Sequence, residues 1–113
     1  MTTPRARLIV RYLPDAPKFT RLAVNDEYCR VFGVDRKNLV DASALSLISK
    51  GERRAVAEKL AGAVRTQTPL LSIDTSIAAD GRRVRIRWMD IPVLDCSGSG
   101  RVVEMIGVGE VIE

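Results

Sequence analysis

The chain has 113 residues, which suits one domain spanning 1–113 with a modest core. Apolar residues make up 46% and charged residues 28%, a balance that excludes a disordered chain, and no apolar run approaches the ~20 residues of a membrane span. The net charge of +4 is too mild to point to nucleic acid by itself, and the absence of histidine removes the commonest general base, zinc ligand and haem ligand together.

The N-terminus carries no apolar signal core, so the expected location is the cytoplasm. Cys29 and Cys96 follow no metal spacing and are expected to be reduced thiols. Neither a metal nor a membrane partner is expected.

Ala6, Leu8, Val10 and Tyr12 alternate with Arg5, Arg7, Ile9 and Arg11, a period-two pattern that predicts a strand. Pro14-Asp15-Ala16-Pro17 ends it as a turn, and Thr20, Leu22 and Val24 predict a second strand. Asn25 is a favoured helix cap, with Asp26 and Glu27 in the first turn, and Gly33 is placed to end that helix. Asp35 and Ser43 are read as caps of two further short helical turns around Leu39-Val40 and Leu45 to Ile48.

An amphipathic helix is predicted over about Glu52 to Thr66, with Val56, Leu60 and Val64 on its apolar face. After Pro69, Leu71, Ile73, Thr75 and Ile77 alternate with Ser72, Asp74 and Ser76. Asp80-Gly81 predicts a tight hairpin turn, because both positions tolerate positive φ. Val84, Ile86 and Trp88 alternate with Arg83, Arg85 and Arg87, a loop follows at 95–100, and Val102 to Val108 is a last strand. Strands segregated from helices predict an α+β fold: a five-stranded antiparallel sheet with several short helices and one longer helix on one face.

This order, with several local strings, resembles the PAS family. Val24 to Gly33 resembles that family's second strand running into its first helix. Ser43 to Arg53 is similar to the stretch before its longer helix, Asp80 to Trp88 to its third hairpin, and Asp95 to Val108 to its last hairpin and strand. Asp41 stands where the family often has glycine, and Val111 and Glu113 stand in place of the Asp and Thr of a frequent closing Asp-Ile-Thr motif. The chain is read either as a piece of a longer signalling protein or as a small stand-alone one.

The resemblance implies a sensory or regulatory domain of a bacterial-type signalling protein, such as part of a two-component system, a cyclase or a transcription regulator. It implies a small molecule or cofactor between sheet and helices, with the signal relayed to an effector domain or a partner signalling protein. Members bind haem, flavin, organic acids or nothing, and the fold does not choose among them. The ligand therefore stays unnamed. The alternative is a ligand-free dimerisation or interaction module. The expected pocket lining is Tyr28, Phe32, Leu47, Ile48, Leu60, Ile73, Ile86, Trp88 and Met105, with Asn25 at the mouth.

Candidate chemistry narrows further. Haem through histidine is excluded by composition. Cys29-Arg30-Val31-Phe32 superficially resembles the Asn-Cys-Arg-Phe-Leu-Gln string of covalent light-sensing flavin domains. It lies on another element and lacks the Gln, which argues against such a flavin. Ser43, Ser97 and Ser99 have no histidine to activate them. Asp26 with Glu27, and Asp90 with Asp95, are read as cap and turn residues, so no enzymatic activity is expected.

Strand parity adds one inference. Arg5, Arg7 and Arg11 share a face of the first strand, Arg83, Arg85 and Arg87 a face of the fourth, and Arg21 is assigned the same outward side of the second. With the last strand between the first and fourth, an outward Glu104 carries Val102, Ile106 and Val108 outward with it. Glu104 is then expected within reach of arginines on both neighbours. An apolar stripe flanked by arginines suits a protein partner, most simply a second copy in a homodimer. The lack of interleaved aromatics disfavours nucleic acid.

Overall fold

The computed structural model describes residues 6–112. Arg5 and Glu113 lie outside the described residues. Five strands form one antiparallel sheet: β1 Leu8–Tyr12, β2 Arg21–Val24, β3 Leu70–Ile77, β4 Arg83–Leu94 and β5 Val102–Val111, in the order β2-β1-β5-β4-β3. Helices α1 Asp26–Phe32, α2 Arg36–Leu39 and α3 Lys50–Thr66 occupy the stretch between β2 and β3. The last strand lies between the first and the fourth, as the parity argument requires.

Periodicity accounts for most of this. Leu8, Val10 and Tyr12 are buried while Ile9 and Arg11 are exposed. On β4, Val84, Ile86, Trp88 and Asp90 are buried and the arginines between them are exposed. Helix α1 begins at Asn25, whose Oδ1 accepts the Tyr28 N–H at 3.1 Å, and ends at Gly33 in the left-handed region, φ 67°. Helix α3 buries Leu60 and Ala63 and packs on β3 and β4.

Residues 41–49 cross the sheet as a strap. Thr20 bridges Ser43 at the β2 side, and Ile48 bridges Ser76 at the β3 edge. The strap opens at Asp41, which takes φ 71°, a conformation that favours glycine. The expected helical turn after Ser43 is a run of turns instead, with the Ser43 hydroxyl accepting the Leu45 N–H at 3.1 Å. The Asp80-Gly81 connection is also longer than expected. Only Gly81 has positive φ, and Ala78 donates its N–H to the Arg82 carbonyl at 2.9 Å across a five-residue loop closed by an Asp80 side-chain turn.

Three faces depart from simple alternation. β1 and β2 shift register between Arg11 and Tyr12, so Arg21 stands opposite Tyr12 on the inner face. Arg21 is therefore 0% exposed, not outward. On β3, Asp74 pairs with Ile86 and Ser76 with Val84, which places the polar set inward and the apolar set outward. Ile73 is accordingly 48% exposed and Leu71 72%. On β5, a bulge at Val103 opposes Leu94 to Val102, and Val102 packs against the core, not with Glu104 on the outer face.

Candidate functional site

A cavity of about 40 Å³ lies between the sheet and the helical side. Its floor is Val10 and Tyr12 of β1, Trp88 and Asp90 of β4, and Asp74 and Ser76 of β3. The strap contributes Ala44, Leu45, Leu47 and Ile48, and the helices add Tyr28, Val56 and Leu60. Of the residues expected to line a pocket, the structure brings together Tyr28, Leu47, Ile48, Leu60 and Trp88.

The other five lie elsewhere. Phe32, Ile86 and Met105 are fully enclosed core residues that do not reach the cavity. Ile73 is on the opposite face of the sheet, for the register reason above. Asn25 is occupied in joining α1 to β1: its Oδ1 also accepts the Ile9 N–H at 3.0 Å, and its Nδ2 donates to the Arg7 carbonyl at 2.8 Å.

Two carboxylates enter the cavity that sequence reasoning missed. Asp90 continues the inward parity of Val84, Ile86 and Trp88, so its assignment to a turn is wrong. It accepts the Tyr12 hydroxyl at 2.6 Å. Burial pushes its carboxyl up to about 6, against the lowering effect of that hydrogen bond. Asp74 is 4% exposed, and its Oδ1 has no hydrogen-bond partner among the described residues. Burial, with the charges of Glu52 and Asp90, pushes its carboxyl up to about 7, while the Trp88 indole and Lys59 pull the other way.

Glycines on β5 make room for this floor. A Cβ on Gly107 would meet Asp90 Oδ1 at 3.0 Å and Val10 at 2.9 Å. Behind the cavity wall, the Arg21 Nε donates to the Tyr28 hydroxyl at 3.2 Å and its Nη1 to the Leu39 carbonyl at 3.3 Å. The guanidinium lies 5.7 Å from the centre of the Tyr28 ring. Burial raises the Tyr28 hydroxyl above its ordinary range, and Arg21 opposes that rise.

The outer face of the sheet carries the second candidate surface. Ile106 faces outward between Arg11 and Ile91, and Val108 between Ile9 and Met89. Arg11 grips Glu104 through two hydrogen bonds of 2.7 and 2.8 Å, which hold that carboxyl below its ordinary range. Glu104 meets an arginine on one side alone, because Val93 is its neighbour on β4. Glu110 instead sits between Arg7 at 2.6 Å and Arg87 at 3.8 Å. Arg83 and Arg85 are exposed on the same face.

A family model described as the PAS fold matches residues 21–112. A light-oxygen-voltage domain from a study of a flavin analogue superposes with a TM-score of 0.81 at 17% identity, over 95% of this chain and 78% of that one. The PAS domain of a protein from Colwellia psychrerythraea gives a TM-score of 0.81 at 16% identity, over 94% of this chain and 86% of its own. At these identities the likeness is one of fold. A stretch of 57 residues is 42% identical to part of an oxygen-dependent choline dehydrogenase of Burkholderia cenocepacia (strain HI2424). That stretch is 47% of this chain, and the match spans only 10% of the length of the dehydrogenase.

Proposed function

The chain belongs to the PAS family, and from that premise we propose that it is a sensory domain binding a small molecule between sheet and helices and relaying its presence through protein contacts. The observation that carries this reading is Asp74, a buried carboxylate with an unpartnered oxygen on a cavity at that position. An unsatisfied buried polar atom costs about 1–3 kcal/mol, more when charged, and a bound molecule offsets that cost. The cavity of about 40 Å³ is far below the roughly 300–1,000 Å³ of sites for drug-sized ligands. A small polar molecule suits it better than a flavin ring.

In this reading the domain performs no catalytic step. It acts in the cytoplasm as a module of a signalling protein, passing ligand occupancy to an effector or partner. Among the described residues, no helix is long and apolar enough to cross a membrane. Native mass spectrometry of gently purified protein tests the reading. A small molecule travelling with the chain at a fixed ratio is the expected result, and an empty domain that binds no small molecule would count against it.

A second reading is favoured by one observation: Ile9, Leu71, Ile73 and Met89 are exposed together on the outer face of the sheet. Contiguous exposed apolar residues mark interaction sites. In that reading the domain is a dimerisation module, its outer face covered by a second copy. An empty chain that sediments as a tight dimer supports it.

A further inference from the structure

We propose that the cavity takes a small protonated amine, which donates an N–H to the Asp74 carboxylate beside the rings of Tyr12, Tyr28 and Trp88. The proposal rests on the sensory reading above and names the chemistry of the occupant. Four observations lead to it.

First, the lining carries no positive charge. It carries two carboxylates, and Asp74 Oδ1 is buried without a partner. Secondly, the buried cation behind the wall does not line the cavity. Arg21 gives its Nε to Tyr28 and its Nη1 to the Leu39 carbonyl, its Nη2 is buried without a partner among the described residues, and it is not part of the lining. The other charges acting on Asp74 are Glu52 and Lys59 of α3, which oppose each other. A water molecule could fill the space, but it brings no charge.

Thirdly, three aromatic side chains share the cavity, with the Tyr28 and Trp88 ring centres 6.3 Å apart. The faces of aromatic rings attract cations. An organic acid would meet two carboxylates and these rings, the least favourable match. Fourthly, the volume of about 40 Å³ holds roughly three or four water-sized atoms. That fits a compact ammonium head carrying one or two carbons. A quaternary ammonium lacks the N–H that Asp74 requires.

Burial keeps the Asp74 carboxyl near 7, so at neutral pH it is divided between its two forms. Binding a cation selects the ionised form and releases a proton. Acid therefore weakens the complex.

The test is calorimetry on the intact chain at constant ionic strength, pH 8, with ethylammonium, ethanol and acetate as probes of matched size. Trp88, the single tryptophan, reports on the same cavity by fluorescence. Ethylammonium alone is expected to saturate. Its affinity should fall about tenfold between pH 8 and pH 6, and at pH 7 the heat should depend on the buffer's ionisation enthalpy. Asp74→Asn should weaken binding at least tenfold with unchanged circular dichroism. Saturation by acetate or ethanol with none by ethylammonium overturns the amine assignment and leaves the sensory reading standing. Silence from all three probes, with no co-purifying molecule, overturns both. Unchanged binding in Asp74→Asn overturns the role of that carboxylate, and the selectivity of the unaltered chain decides the matter should the variant not fold.

Discussion

The ring of Trp88 occupies the space over Gly109. Three of its carbons stand 2.7, 2.8 and 2.9 Å from the point a Cβ would take there. The two residues are cross-strand partners in β4 and β5, so the close approach is built into the register. Gly109→Ala must push the ring off the sheet and into the cavity. Such overpacking costs about 1–3 kcal/mol. Urea unfolding should show that loss, and the fluorescence of Trp88 should shift as its surroundings change. A variant with native stability and an unshifted spectrum would mean that the ring does not rest on this strand.

Tyr12 is the donor on which Asp90 depends, at 2.6 Å. Tyr12→Phe leaves the shape of the wall and removes that donor. Hydrogen bonds to charged groups contribute about 1.5–3 kcal/mol, so the variant should lose on that order at pH 8, where Asp90 is ionised. The Asp90 carboxyl, now near 6, should move higher, because the lost bond was lowering it. At pH 5 the carboxyl is protonated and the loss should shrink. Equal losses at pH 5 and pH 8 would place the Tyr12 hydroxyl elsewhere.

Stability of the free domain should rise as pH falls from 8 to about 5. Burial raises the carboxyls of Asp74 and Asp90 from the ordinary carboxylate range to about 7 and about 6. A raised carboxyl contributes stability that is full below its unfolded value and is lost as pH climbs through its folded value. The two share a cavity and titrate as a pair, giving a combined change on the order of a few kcal/mol. Asp15, Asp80, Asp95 and Glu104 are lowered instead, so their contribution is lost only in stronger acid. Thermal unfolding at pH 5, 6, 7 and 8 reads the slope, and Asp74→Asn should flatten most of it between pH 6 and 8. A melting temperature that is constant or rising from pH 5 to 8 contradicts the buried carboxylates.

How far these features were legible in the sequence depends on the strand. On β1 and β4 the inner apolar residues Leu8, Val10, Tyr12, Val84, Ile86 and Trp88 alternate mainly with arginines, so period two identified the inner side. The same parity, carried one step beyond Trp88, would have placed Asp90 in the cavity. β3 misled because its apolar residues are on the outer face, and only the register with β4 turns Asp74 inward. A single shift in the β1–β2 ladder buried Arg21, and a single bulge at Val103 turned Val102 inward. No composition or spacing signals either event. Phe32, Ile86 and Met105 are apolar residues of the kind that also lines pockets, and only the packed structure separates the two roles. The alternating glycines at Gly107 and Gly109 were the overlooked signal, since a strand keeps such gaps where large side chains lie across it.

The outer face supplies the last prediction. Ile106 points outward from the central strand, directly opposite Arg11 on one side and Ile91 on the other. Ile9 and Val108 are paired next to it, and Met89 is opposite Val108. Burying three branched side chains such as Ile9, Ile106 and Val108 against a second copy contributes roughly 1.5–3 kcal/mol each before the entropic cost of association. The Arg11–Glu104 pair is solvent-screened and contributes little, so the apolar stripe governs the contact. Ile106→Glu places a charge in that stripe while leaving the inner face untouched. Sedimentation of the unaltered chain should show a dimer, and the variant should sediment as a monomer with unchanged circular dichroism. A monomeric unaltered chain removes the homodimer altogether. A variant that still dimerises moves the contact to another surface, and one that unfolds places Ile106 in the core.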